Sequence, residues 1–338
     1  MALDALEIVI SQHRRYLETG DKNTGAVTAT GHSAGCFSAV VASSEAQLMR
    51  DFGIQDSIKF KYCVSAGIVT GHMVGADSYE IYAKLVDKDF ISRWRLAKYE
   101  AVARTMGKVS GRPTAMDMAV ARKVFSPHIH DGAHNENCVS VLTDTASGSP
   151  IYVRGLTAKE DVMATIESGI SAPVVGGPLK PRSDGMITDP FPMRQAAADG
   201  VEAMVFFLNQ HPKAIVETYK AELGSYTAYL KRDSAECART YETMVGGLGQ
   251  LFREAMEGEV KSSDGARSMK VTLIHPEQNA AIPPNLVWGD KGKAQLFVGY
   301  NLGIIAMNHA LQHLIEPQER VEWLRRKNPT SYLTAQAA

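Results

Sequence analysis

Twice near its N-terminus the chain runs from a strand-forming segment through a turn of very small residues into a helix, and this repeat constrains the fold class. Ala26-Val27-Thr28-Ala29-Thr30 enters Gly31-His32-Ser33-Ala34-Gly35 and a helical stretch that ends near Phe52-Gly53. Ile58 to Val64, rich in aromatic and β-branched residues, enters Ser65-Ala66-Gly67 and another helix. Consecutive strands joined through helices pair in parallel, because a parallel crossover needs the length a helix supplies. The expectation is an α/β fold with a mostly parallel central sheet flanked by helices.

The rest of the chain fits that plan. Residues 3 to 18 place Leu3, Leu6, Ile8, Val9, Ile10 and Leu17 among polar positions, the pattern of an amphipathic helix that Gly20 stops. From about 77 to 127 the text is charged and helical, with Trp94 among Arg93, Arg95 and Lys98. Cys138 to Thr143 reads as a strand, and Ser147-Gly148-Ser149 as a hairpin-like turn before Ile151-Tyr152-Val153. Ser168 to Pro192 is dense in glycine and proline, which predicts irregular backbone of the kind on which sites are built. Val201 to Leu208 is a buried strand, 213–257 is helical with a break at Gly246-Gly247-Leu248-Gly249, Val271 to Ile274 is a late strand, and 294–325 is mostly helix. Without a low-complexity linker, the expected organisation is an N-terminal helix at 1–20, one domain at 21–315 with a helical insertion at about 77–127, and a C-terminal tail at 316–338.

Charge and composition exclude several classes. With 36 basic against 37 acidic side chains, the net charge of -1 removes the electrostatic case for nucleic acid. The most apolar stretch, Leu296 to Leu314, is interrupted by Asn301, Asn308, His309 and Gln312, so no spanning helix is expected. The acidic N-terminus lacks the basic region of a secretory signal. Cys36, Cys63, Cys138 and Cys237 are widely spaced and read as core thiols of a reducing, cytoplasmic compartment.

Three short elements could hold chemistry. Gly31-His32-Ser33-Ala34-Gly35 satisfies G-x-S-x-G, in which tiny neighbours let a serine sit on a sharp strand-to-helix turn. Only 32 residues precede Ser33, too few for the strands that an ordinary α/β-hydrolase places before its nucleophile. Cys63-Val64-Ser65-Ala66-Gly67 repeats the layout with cysteine in the first glycine position. Ser183-Asp184-Gly185-Met186, followed by Asp189-Pro190-Phe191-Pro192, can fix a carboxylate on rigid backbone, although an Asx-type turn has the same text.

Together these elements resemble the patatin-like phospholipases, from about Gly25 to Leu208 and more loosely beyond. Asp144-Thr145-Ala146-Ser147-Gly148 looks like that family's D-x-x-T-G hairpin, and Ile166 to Pro173 is similar to its A-S-x-A-x-P turn. Asp184 to Pro192, with Ala196 to Gly200, looks like the loop and helix that carry its dyad aspartate. Three departures stand out: Met186 replaces a small residue, Cys63 replaces a glycine, and the oxyanion loop lacks its basic residue. The resemblance implies a three-layer fold and a lipid acyl hydrolase that cleaves carboxylic esters of phospholipids or related lipids. It further implies a Ser-Asp dyad, an acyl-enzyme, no cofactor or metal, and contact with a lipid substrate at a membrane periphery.

Two registers compete for the nucleophile. With Ser33, the family's first strand and loop are missing and the second turn has no counterpart. With Ser65, everything falls in family order, Asp184 is the base, and Gly31, His32, Ser33, Ala34 and Gly35, with Ala66, supply the oxyanion hole. Ser65 is therefore preferred, with Ser33 as its rival. The alternatives are a patatin-like scaffold that binds lipid or protein without turnover, and an acyl-carrier-protein transacylase, whose G-H-S-x-G elbow resembles the text at Ser33. His128-Ile129-His130-Asp131-Gly132-Ala133-His134 has metal-ligand residue types but not a spacing that fits a hydrolytic metal site. His309 and His313, four apart on a helix, and His275 read as ordinary polar positions.

Overall fold

An inner strand of the sheet, Ala203–Phe207, shows by its alternation how the layers arise. Met204, Phe206 and Leu208 pack into one apolar cluster while Val205 and Phe207 pack into another, on opposite faces. The structure, a computed structural model, describes residues 4–73, 77–92, 116–172, 179–277 and 286–327. Its strands are β1 (Thr28–His32), β2 (Phe60–Val64), β3 (Cys138–Asp144), β4 (Ser149–Val153), β5 (Arg182–Asp184), β6 (Ala203–Phe207), β7 (Glu259–Lys261) and β8 (Ser268–Ile274). They lie in the order β4-β3-β2-β1-β6-β8-β7, with β5 also on β3. β3, β2, β1, β6 and β8 run parallel, whereas β4, β5 and β7 pair antiparallel, so the sheet is mixed with a parallel centre.

Helices cover both faces. α1 (Ala5–Thr19), α2 (Val40–Asp51), α3 (Ala66–His72), α4 (Ser78–Asp87), α5 (Met118–Phe125), α6 (Lys159–Gly169), α10 (Gly289–Leu311) and α11 (Pro317–Lys327) share clusters with Cys63, Leu142, Val205, Phe207 and Ile274. On the other face α7 (Met193–Ala198), α8 (Pro212–Leu230) and α9 (Ala235–Met256) pack on Ala29, Tyr62, Val139, Met204, Phe206 and Val271. Asp4 caps α1 in a reciprocal box with Glu7, and Gly20 ends it in the left-handed region at φ 71°. Leu6, Val9 and Ile10 then bury this helix in the same cluster as Val205 and Phe207.

Some expectations need correction. The helical stretch 213–257 does not break at Gly246-Gly247-Leu248-Gly249: α9 runs through it, and the break falls between Leu230 and Ala235 where Ser234 caps α9. Gly246 and Gly247 face solvent while Tyr241, Val245, Leu248 and Phe252 line the buried side. Burying that stripe outweighs the roughly 1 kcal/mol that each helical glycine costs. The expected tail at 316–338 contains α11, whose Trp323 is buried against the core and whose Glu319 accepts from Arg14 at 2.7 Å. Of the insertion at 77–127, α4 and α5 are helical; Trp94, Arg93, Arg95 and Lys98 lie outside the described residues. The short strands β5 and β7 carry no sequence signal of their own. Among the described residues no helix is long and apolar enough to cross a membrane, and all four cysteines are free thiols.

α2 carries a carboxyl in an unusual place. Glu45 is fully buried, and burial pushes its pKa well above the ordinary carboxylate range. A raised pKa means that the folded chain holds the proton longer than the unfolded chain does. Stability is therefore lost as pH rises from about 4.3, where an unfolded glutamate titrates, through the folded value. Glu45→Gln should match the wild type near pH 4.5 and be the more stable of the two at pH 8. Denaturant midpoints across that range measure the difference, and a gap that stays constant with pH would contradict the assignment.

Candidate active site

Sheet register builds the site. Along one side of β3, Val141 pairs with Val64 of β2, and the next residue, Leu142, pairs with Asp184 of β5. β4 occupies the other side of β3 over Leu142 to Asp144, so β5 must take the lane that β2 vacates. The end of β2 and the end of β5 therefore meet head-on. There the Ser65 hydroxyl donates to Asp184 Oδ2 at 2.7 Å.

Ser65 occupies a strained turn. Its φ of 54° and ψ of -127° lie in a region that residues other than glycine rarely adopt, and α3 starts at the next residue. The tightness of the turn is enforced by Gly67: a Cβ there would overlap the carbonyl of His32 and crowd that of Ser33. The turn thus sits directly against the end of β1. Cys63, the departure in the first glycine position, is accommodated by Gly71 on α3, where a Cβ would overlap the Cys63 sulfur. Gly71→Ala should cost on the order of 1–3 kcal/mol by overpacking, and adding Cys63→Gly should restore most of the loss. Thermal melts of the two single variants and the double measure that coupling; additive costs would show that the two positions do not compensate.

Asp184 is fully buried. Its Oδ1 accepts the Met186 amide at 2.9 Å, and its backbone carbonyl accepts the Thr143 hydroxyl at 2.8 Å. Burial pushes its pKa up to about 7, against the opposing pull of the Met186 and Ser65 hydrogen bonds. A carboxylate tuned there accepts a proton far more readily at neutral pH than an ordinary aspartate does. Gly185 is needed where the turn crosses β3, because a Cβ would overlap the Val141 carbonyl. Nearby, Asp189 accepts the Tyr152 hydroxyl at 2.6 Å, and burial raises its pKa to about 6.

The structure separates the two serines. Ser33 does not sit on an elbow: its amide donates to the Phe207 carbonyl at 3.3 Å, continuing β1 along β6, and its hydroxyl is buried without a partner among the described residues. The expected oxyanion loop is correspondingly shorter than Gly31 to Gly35. Gly31 and His32 belong to β1, with the Gly31 Cα packed on the Phe206 ring, and the Ser33 amide is spent on the sheet. His32 is buried and its Nε2 lies 3.1 Å from the Thr30 hydroxyl, while burial drives its pKa well below the usual value and keeps it neutral. Ala34, Gly35 and Ala66 remain, and all three line the same cavity as Ser65. The amides of Ala34 and Gly35 have no hydrogen-bond partner among the described residues.

That cavity measures about 480 Å³. α4, α5 and their flanks contribute Tyr82, Leu85, Phe90, Met116 and Phe125, and Met186 lies beside Asp184. α8 supplies Ile215, Tyr219 and Tyr226 on the inside and the exposed Glu222 and Ser225 near the rim. The largely apolar walls suit an acyl chain, whose burial is worth about 0.8 kcal/mol per methylene. The sequence alone does not mark out Asn209 or the tyrosines of α8. The signal available for Asn209 is a polar residue just past a buried strand, at the carboxyl edge where open α/β sheets bind ligands.

The chain matches no protein-family model and no curated protein. The described residues bring together no group of three or more metal-ligating side chains. Asp131 of the His128 to His134 segment instead accepts the Lys159 amide at 2.6 Å.

Proposed function

We propose that the chain is a serine acyl hydrolase of the patatin-like type, cleaving carboxylic esters of lipids through a Ser65-Asp184 dyad. The observation that carries the reading is the 2.7 Å hydrogen bond between a serine on a strained elbow and a buried carboxylate raised to about 7. In this reading Asp184 takes the Ser65 proton as Oγ attacks the ester carbonyl. The oxyanion is held by the amides of Ala34, Gly35 and Ala66, and the alcohol leaves with the proton from Asp184. Water, deprotonated by the same carboxylate, then attacks the acyl-enzyme, and Asp184 returns the proton to Ser65 Oγ as the free acid leaves. The apolar walls next to Ser65 support a lipid acyl group as the acid half, and the finer fold assignment, a patatin-like three-layer arrangement, rests on the same resemblance and on helices covering both faces of the sheet.

Hydrolysis of p-nitrophenyl esters of increasing acyl length tests this. The expected result is kcat/KM rising by about fourfold per added methylene until the cavity is filled, since each buried methylene contributes about 0.8 kcal/mol. Absence of hydrolysis for every chain length, with vesicle or fatty-acid binding retained, would instead favour the non-catalytic scaffold.

A further inference from the structure

We infer that Asn209 is a positioning residue for the oxyanion loop, holding the Ala34-Gly35 peptide in the orientation that stabilises the tetrahedral intermediate. The inference rests on the acyl-hydrolase reading of the same site. Asn209 lies two residues beyond β6, which pairs directly with β1, so it stands beside the loop that β1 enters. Its Nδ2 donates to the Ala34 carbonyl at 3.1 Å and to the Ser38 hydroxyl at 2.9 Å, bridging the two sides of Gly35. The side chain is buried and lines the cavity together with Ala34, Gly35 and Ser65.

Gly35 is the position that needs such a clamp. Its φ of 138° belongs to glycine, the residue with the greatest backbone freedom, so nothing local fixes its peptide planes. The Asn209 amide packs flush against its Cα: a Cβ there would overlap Nδ2 and lie 2.8 Å from the Ser38 hydroxyl. In a trans peptide the carbonyl and the following N–H point in opposite directions. Pinning the Ala34 carbonyl on Asn209 therefore turns the Gly35 N–H away from Asn209, and that amide has no other partner among the described residues. A donor fixed beforehand needs no reorganisation when the oxyanion forms, which is the source of its catalytic value. The role belongs to transition-state stabilisation, since the Nδ2 group of Asn209 is spent on the loop.

Steady-state kinetics on p-nitrophenyl butyrate, with a trifluoromethyl ketone as the tetrahedral probe, test the inference. Asn209→Ala should lower kcat by about 10- to 100-fold with KM within about threefold. The ketone's inhibition constant should rise by the same factor as kcat/KM falls, because its hemiketal needs the same donor. The corresponding methyl carbinol, a ground-state mimic, should bind unchanged. Asn209→Asp keeps the shape but replaces the donor by a carboxylate oxygen facing the Ala34 carbonyl; it should lose at least as much, and it decides the matter if the alanine variant does not fold. Folded variants with kcat within twofold of an active wild type would overturn this inference alone. So would a kcat loss with unchanged ketone affinity, which marks a merely structural role. A wild type without turnover would sink the acyl-hydrolase reading and this inference with it.

Discussion

Ser65→Ala is expected to reduce ester hydrolysis to background, a loss of at least about 10³-fold in kcat/KM, whereas Ser33→Ala should stay within about threefold of the wild type. The difference follows from position, since both serines sit in the same Ser-Ala-Gly text. Ser65 lines the cavity with the Asp184 carboxyl at 2.7 Å, while the Ser33 hydroxyl is buried without a partner among the described residues and its amide is tied to β6. The variant should remain folded, because alanine fits the same space. A third variant separates chemistry from folding. Ser65→Gly relieves the φ of 54° and should be about 1 kcal/mol more stable than Ser65→Ala while equally inactive. Initial rates and thermal melts of the three variants measure both effects. Full activity in Ser65→Ala would remove the dyad from the mechanism.

The second large effect concerns pH. Asp184 must be ionised to act as the base, so kcat/KM should rise along a one-proton limb with its midpoint near 7, where burial has placed the carboxyl. Asp184→Asn should abolish the limb and at least about 10³-fold of the activity. Stability should move the opposite way. A folded pKa raised from 3.8 to about 7 means that the folded state keeps a proton the unfolded state has released. Stability is then lost as pH rises from about 4 to 7 and is not regained above that. A shift of this size amounts to on the order of 4 kcal/mol at pH 8. An amide in place of the carboxyl cannot ionise, so the Asp184→Asn chain should be more stable than the wild type at pH 8 and nearly equal to it at about pH 4. Higher stability with lost activity is the signature of a group strained for function. A flat pH-rate profile between about pH 5.5 and 8.5 would contradict this role for Asp184.

Much of this architecture is legible in the text, and the exceptions have identifiable causes. The strand, small-residue turn and helix near Ala26 and Ile58 predict parallel pairing, and β1 and β2 do pair in parallel. What local text cannot show is where the neighbouring strand ends. The two Ser-Ala-Gly turns diverge because β6 continues beside Ser33, whereas β2 stops at Val64 where β5 takes over its lane on β3. Three residues of one turn are thereby drawn into the sheet, and the expected oxyanion loop contracts to Ala34 and Gly35. The same limit hides β5, only three residues long, and Asn209, whose partners lie 171 and 175 residues away along the chain. Gly71 makes a related point. As a motif, Cys63 in a glycine position looks like damage, but the space it needs is opened by a glycine on the facing helix.

The most direct test of the Ser65-Asp184 assignment is labelling of the native protein with a fluorophosphonate, followed by identification of the modified peptide by mass spectrometry. One adduct per chain is expected, on Ser65, forming faster as pH rises through about 7 and lost in Asp184→Asn. An adduct on Ser33, or no adduct on either serine in a folded chain, would contradict it.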